Sequence, residues 1–285
     1  MVASNHLTLR AAATPPDVAN GSVLFIGNAT VLIRYAGLTI LTDPTFIHRH
    51  EQVSIGYGMH STRLTNPAME IADLPPLDLI LLSHFHRDHF DQVAERDLDK
   101  KIPIVTNAEA AKELNALGFN NTFALEMWAP MVVERGEVRL RITSTPGRHG
   151  PPLSELVLPD VMGSMLEFFA GSDRALFRLY ITGDTLVYDD IREIPKRFPD
   201  VDLALLHLGG AHVLGIMVTM DGKQGVEMMR IMEPEMTIPI HYNDYDVFKS
   251  PLADFQQEVE AAGLSHRVQY LEHGDSYAFA IQQRR

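Results

Sequence analysis

Short apolar runs punctuated by turn residues open the chain. Val23-Leu24-Phe25-Ile26, residues 30–35 and residues 38–42 are set apart by Gly27-Asn28 and Ala36-Gly37, which predicts a meander of strands. Residues 1–20 lack this pattern and read as a loosely ordered lead-in. Residues 48–76 are irregular, with Gly56, Gly58, Pro67, Pro75 and Pro76; a loop of that length is usually functional or mobile. Leu79-Ile80-Leu81-Leu82 reads as a buried strand. Downstream, residues 91–97 predict a short helix, 102–106 a strand, and 108–117 a helix closed by Gly118. Residues 132–134 and 138–143 alternate like a hairpin across Arg135-Gly136, and 162–169 with 175–182 form a second pair across Gly171-Ser172-Asp173. Further strands are predicted at 201–207, 236–241, 268–271 and 277–281. Helices are predicted at 223–232, opened by Asp221, and at 251–262, ended by Gly263. Strands in both halves with helices between them fit two packed sheets with helices outside. No composition break marks a linker, and no repeat of fixed period is visible.

Directly after the apolar run at 79–82 comes His84-Phe85-His86-Arg87-Asp88-His89, four metal-binding side chains in six residues. Alternate side chains of an extended chain point the same way, so His84 and His86 face one point. Asp88 follows if the chain begins to turn, and His89 needs that turn to join. Neutral imidazole and carboxylate suit zinc and its first-row neighbours.

Composition narrows the chemistry. The 285 residues are 46% hydrophobic and 21% charged, as in an ordinary globular protein. No run of about 18 apolar residues predicts a membrane-spanning helix. The N-terminus has no basic start followed by an apolar core, so no signal peptide is expected and a cytoplasmic location is compatible. Cysteine is absent, which removes disulfides, thiolate ligands and a cysteine nucleophile together. A net charge of -13 disfavours nucleic acid as a partner, since no basic run overrides it. No Gly-x-Ser-x-Gly elbow points to a serine nucleophile.

Four other segments share one form: a predicted strand ends and a potential ligand appears. His149 lies in Pro146-Gly147-Arg148-His149-Gly150, Asp184 in Gly183-Asp184-Thr185, His241 follows Ile240, and Asp43 sits between Thr42 and Pro44. The ordered set of His-x-His-x-Asp-His, His149, Asp184 and His241, led by Thr42-Asp43-Pro44 and the Gly27-Asn28-Ala29-Thr30 turn, resembles the metallo-β-lactamase superfamily. Within it the chain resembles the branch that includes ascorbate-6-phosphate lactonase and N-acylphosphatidylethanolamine phospholipase D. The resemblance spans about residues 21–281 and implies a single domain at 21–285. It implies an αββα sandwich, a four-layer α/β (α+β) fold with metals at one edge of the two sheets. Carried over by motif, His84, His86 and His149 would hold one ion; Asp88, His89 and His241 a second; Asp184 would bridge them; Asp43 would orient the ligands from behind. Two departures stand out. Asn28 occupies a position where the branch often has His, and His207 lies in Leu205-Leu206-His207-Leu208-Gly209-Gly210; both are expected to bear on the substrate pocket more than on the metals.

Two divalent ions, Zn²⁺ first with Mn²⁺ or Fe as alternatives, lower the pKa of bound water and share a bridging hydroxide when about 3.5–4 Å apart. Asp88 and Asp184 contribute two negative charges against four positive, and the excess stabilises hydroxide and an oxyanion. The function read from this set is a metal-dependent hydrolase of a small-molecule ester, lactone or phosphodiester. A di-iron oxidoreductase with the same ligands is the alternative. Asp88 and Asp184 are the catalytic carboxylates, and His212, after Gly209-Gly210-Ala211, is a candidate to bond substrate or protonate a leaving group. Arg148 is a candidate neighbour for an anionic group. Tyr242, Asn243 and Asp244 are expected near the pocket, His48, His50 and His60 on a solvated loop, and most of the Met217–Met236 methionines in the core. A homo-oligomer is left open.

Overall fold

Side chains that alternate between two buried faces build both sheets of this protein. The computed structural model describes residues 5–12, 14–56, 58–152, 158–213 and 215–281. One seven-stranded sheet runs, in spatial order, His6–Thr8, Pro130–Arg135, Val138–Thr145, Gly163–Ala170, Phe177–Ile181, Leu203–His207 and Met236–Ile240. The other runs Ser276–Ala280, Asn20–Gly27, Thr30–Tyr35, Leu38–Thr42, Leu79–Leu81, Ile104–Thr106 and Thr122–Ala124. Val23, Phe25, Val31, Ile33, Leu79 and Leu81 face Leu179, Ile181, Leu203 and Leu205 in the core between the sheets. Their alternates point outward: Leu32, Leu41, Ile80 and Leu82 pack with Ala94, Ala110 and Leu114 of the helices Gln92–Asp97 and Ala108–Ala116. Tyr180, Ala204 and Leu206 pack with Val226, Met229, Phe255 and Val259 of the helices Gly222–Met232 and Leu252–Ala261. Burial on both faces explains why these strands read as continuous apolar runs. The result is the expected αββα order of layers.

Strand direction decides where the loops gather. Val138–Thr145 and Phe177–Ile181 are both antiparallel to Gly163–Ala170, and Leu203–His207 is parallel to Phe177–Ile181 and to Met236–Ile240. Four strands of one sheet therefore share a direction. In the other sheet Leu38–Thr42, Leu79–Leu81 and Ile104–Thr106 are mutually parallel. Each set delivers its carboxyl ends to one edge.

Four segments depart from expectation. His6–Thr8, within the stretch read as a loose lead-in, pairs parallel with Pro130–Arg135. Residues 48–76 contain a short hairpin, Gln52–Ser54 with His60–Thr62. Residues 268–271 form no strand; Val268 makes an isolated bridge to Thr237. Gln269 N donates to Thr237 O at 2.9 Å, but the next donor along the ladder would be Pro239, which has no N–H. Thr122–Ala124 is an additional edge strand too short to stand out in the sequence.

One carboxylate ties the loop after Leu38–Thr42 to the first helix. Asp91 caps Gln92–Asp97 by accepting from Val93 N and Ala94 N, and its other oxygen accepts from Phe46 N and, at 2.7 Å, Ile47 N. Asp91→Ala leaves these buried donors unsatisfied. It should lower stability by about 2–4 kcal/mol, read as a shift of the urea midpoint; a change within error would refute this account of the cap.

Candidate metal centre

The strand Leu79–Leu81 ends in Leu82-Ser83, and the chain then turns: His89 N and Phe90 N both donate to His86 O, at 3.0 and 2.8 Å. That turn brings His89 back beside His84, ring centroids 4.1 Å apart. Ligand atoms of His84, His86 and His149 lie within 4.8 Å of one another, as do those of Asp88, His89, Asp184 and His241. His149 follows Val138–Thr145, Asp184 follows Phe177–Ile181, and His241 follows Met236–Ile240, so the parallel strand ends bring together all seven residues named from the sequence. Six are buried; His86 is the most open.

Local backbone conformation places several of them. Asn28, Asp43 and His241 have φ values of 54°, 35° and 61°, in the left-handed region that non-glycine residues avoid. Strain of this kind persists only where surrounding bonds over-determine it. Here Asp43 N donates to Leu81 O at 3.0 Å and His241 N to Asn28 O at 2.8 Å. Gly183, φ 62°, precedes Asp184; a Cβ there would lie 3.0 Å from Met162 O.

Hydrogen bonds fix which ring nitrogen faces the centre. His149 Nδ1 donates to Val218 O at 2.8 Å and His241 Nδ1 to Leu208 O at 3.1 Å, so both present Nε2. His84 Nδ1 lies 3.0 Å from Ser83 Oγ. His89 Nδ1 lies 3.3 Å from Asp43 Oδ2. Thr219 Oγ1 donates to Asp184 Oδ2 at 3.0 Å. Bonds to the far nitrogen are what orient metal-ligating imidazoles.

Asp43 is the hub behind the rings. It accepts from Ser83 N at 2.7 Å and Ser83 Oγ at 3.1 Å, and its Oδ2 also lies 3.3 Å from His207 Nε2. His207 is sealed from solvent and stacks on His89 at 5.9 Å between centroids. The expectation that His207 bears on the substrate pocket is therefore corrected: the strand Leu203–His207 ends behind the ligands, not in front of them. Asn28 is likewise buried; its Nδ2 donates to Asp88 O at 2.6 Å. Asp244 is not a pocket residue either. It accepts from Asn28 N at 2.7 Å and pairs with buried Arg63 at 3.6 Å and with His273 at 3.2 Å.

His212 stands outside these groups, half-buried, with Nδ1 donating to Gly210 O at 2.7 Å. His48 and His50 are exposed on the loop, as is His60, and His48 pairs with Glu70. Met220, Met228, Met229 and Met232 pack in the outer core.

The electrostatics are those of a cation site. Burial, then neighbouring His89, hold His84 well below the usual imidazole range. Burial and His149 push His86 down to about 3, and burial lowers His149. Burial also opposes charge on His89, but Asp184, Asp88 and Asp43 outweigh it and raise its pKa well above the usual value. Burial works against ionised Asp88 and Asp184 too, yet His89 and His241 keep both carboxyls low.

The residues fit divalent ions on geometry. His89 Nε2, His241 Nε2 and Asp184 Oδ1 are buried without a hydrogen-bond partner, a cost a bound cation removes. His84 Nε2 and His86 Nδ1 are 3.1 Å apart, His89 Nε2 and Asp184 Oδ2 3.4 Å, His241 Nε2 and Asp88 Oδ2 3.5 Å. Donors on a tetrahedral ion at about 2.0–2.2 Å stand about 3.3–3.6 Å apart.

Sequence reasoning missed Ser83, Thr219, Asn28 and Asp244 as supports. Ser83 had a signal, a small polar residue closing the strand before the motif; the carbonyls of Val218 and Leu208 had none.

Comparison with known proteins gives the chain's family and fold relatives. The chain is 29% identical over 266 residues to the UPF0173 protein YddR of Bacillus subtilis, covering 89% of this chain and 98% of that one. It is 27% identical over 209 residues to a UPF0173 metal-dependent hydrolase of Nanoarchaeum equitans, covering 72% and 87%. In fold it is similar to an isothiocyanate hydrolase from Delia radicum gut bacteria, with TM-score 0.77 at 21% identity over 91% of this chain and 99% of that one. The profile of the beta-lactamase superfamily domain matches residues 39–242, more than half of the chain, and the protein belongs to that family.

Proposed function

We propose that this protein is a metal-dependent hydrolase with a binuclear centre. His84, His86 and His149 would hold one ion, Asp88, His89 and His241 the other, and Asp184 would serve both. One observation carries the reading: ligand atoms from both sheets converge, and three of the buried ones, His89 Nε2, His241 Nε2 and Asp184 Oδ1, have no hydrogen-bond partner. Bound divalent ions supply Lewis acidity and acidify coordinated water. Zn²⁺ is the first choice for the imidazole-rich set, with Mn²⁺ or Fe accepted by the same donors. The protein residues do the rest. Asp88 and Asp184 set the charge of the centre, Asp43 holds His89 through Nδ1, and His212 bonds the substrate or protonates the leaving group. The substrate, a small-molecule ester, lactone or phosphodiester, enters past His86.

Residues 21–285 act as one hydrolase domain, and the motif order supports the branch that includes ascorbate-6-phosphate lactonase and N-acylphosphatidylethanolamine phospholipase D. No described helix is long and apolar enough to cross a membrane. A chain without cysteine fits a reducing cytoplasm.

Three outcomes follow. Screening Zn-, Mn- and Fe-loaded protein against lactones, phosphodiesters and esters should reveal turnover that His84→Ala and Asp184→Ala each lower by about 10²-fold or more, with circular dichroism unchanged. Unaltered rates would refute the site, and an iron optical band with oxidation of a substrate would replace hydrolysis by redox chemistry. Second, Asp184, Asp88 and Asp43 outweigh burial and raise the His89 pKa well above the usual value, while burial lowers those of His84, His86 and His149. Zinc uptake at pH 7.5 should therefore release about one proton from His89, seen as buffer-dependent enthalpy in calorimetry. Affinity should keep rising as pH climbs past about 6.5, because the His89 pKa is raised, not lowered; a flat profile sinks this assignment. Third, Asp43→Asn puts an amide N–H against imidazole N–H groups. Equilibrium dialysis should show metal affinity lower by about 10- to 100-fold, and wild-type affinity would mean that Asp43 does not orient the ligands.

A further inference from the structure

Arg148 precedes the ligand His149, and the two share the wall of a cavity of about 360 Å³ with Asn107, Met127, Glu126 and Asp160. That volume is at the small end of ligand pockets. Its two carboxylate residues are exposed at the rim, where solvent screens them, while Arg148 is half-buried and His149 buried. The root of Arg148 is fixed to the metal centre. Its N donates to Thr185 Oγ1 at 2.9 Å, and its O accepts from Leu186 N at 3.0 Å, both in the segment that follows Asp184. Its guanidinium lies 4.2 Å over the Tyr188 ring, which holds the plane without neutralising it.

The Arg148 Nε is buried with no hydrogen-bond partner, and among the described residues no carboxylate pairs with it. Elsewhere Arg63, Arg135 and Arg178 pair with Asp244, Asp78 and Glu167 respectively. In a chain of net charge -13, a half-buried guanidinium beside His149 with no acid partner among the described residues is suited to an oxyanion. Arginine's planar fork binds carboxylate or phosphate through two parallel N–H donors.

We propose that Arg148 anchors an anionic group of the substrate, a carboxylate or a phosphate monoester, so that the bond to be hydrolysed lies over the neighbouring centre. The inference rests on the hydrolase reading for the second half of that statement, but anion binding is measured without turnover. The guanidinium selects small anionic substrates; Tyr188 and Thr185 position it.

The test titrates metal-loaded protein with inorganic phosphate and, separately, acetate, by calorimetry, in wild type, Arg148→Met and Arg148→Lys. Methionine keeps an apolar stem over Tyr188 without the charge; lysine keeps the charge without the fork. At equal metal content, Arg148→Met should bind the preferred probe at least about tenfold more weakly, with Arg148→Lys between. The stronger probe identifies the group, phosphate or carboxylate. Equal affinity in all three proteins, or no binding of either probe by wild type, overturns the proposal. Should Arg148→Met fail to fold, the wild-type to Arg148→Lys ratio decides, and a ratio of one overturns it. Metal uptake and the His84→Ala comparison report on the hydrolase reading independently.

Discussion

A single buried carboxylate organises the centre. Asp43 has no solvent to stabilise its charge, and burial alone would raise its pKa; His89 and His207 reverse that and keep it ionised. Its two oxygens hold Ser83 at the end of one strand, His89 in the motif turn and His207 at the end of a strand in the opposite sheet. Removing any one of these contacts leaves either an unsatisfied buried charge or an unsatisfied ring, which is costly in a low-dielectric interior. Bonds within the protein therefore hold the ligands of the proposed centre from behind.

A second polar knot performs the same task from the other side. Arg63 and Asp244, both buried, lie 181 positions apart in sequence and meet beneath the Asn28 turn. Asn28 then holds the backbone of Asp88 and receives that of His241. Between the two knots, Asp88, His89 and His241 are each fixed by a bond that leads away from the proposed second ion.

Much of the fold was legible because both faces of each central strand are buried. Runs such as residues 79–82 and 203–206 are apolar without alternation, and their ends coincide with Gly, Pro or Asp. The seven polar residues were legible for the same reason: they stand where such runs stop. The rest was not. The bridge at Val268 depends on a missing N–H at Pro239, a tertiary fact. His207 closes an apolar run just as a pocket residue would, and only its partner, 164 positions earlier in the chain, shows that it faces inward. Backbone carbonyls and the Asp244–Arg63 pair have no signature in a one-dimensional pattern, since their meeting depends on how the sheets pack.

Each proposed ion draws donors from both halves of the sandwich: His84, His86, Asp88 and His89 come from one sheet, His149, Asp184 and His241 from the other. Such a centre is a seam as well as a reaction site. Without cations, the edge of the sandwich where the loops gather is closed by imidazoles and carboxylates that satisfy one another only in part, so the two layers are free to part there first. Metal supply would then govern how long each molecule survives proteolysis, and starvation for metal would thin the population of this enzyme as well as silence it.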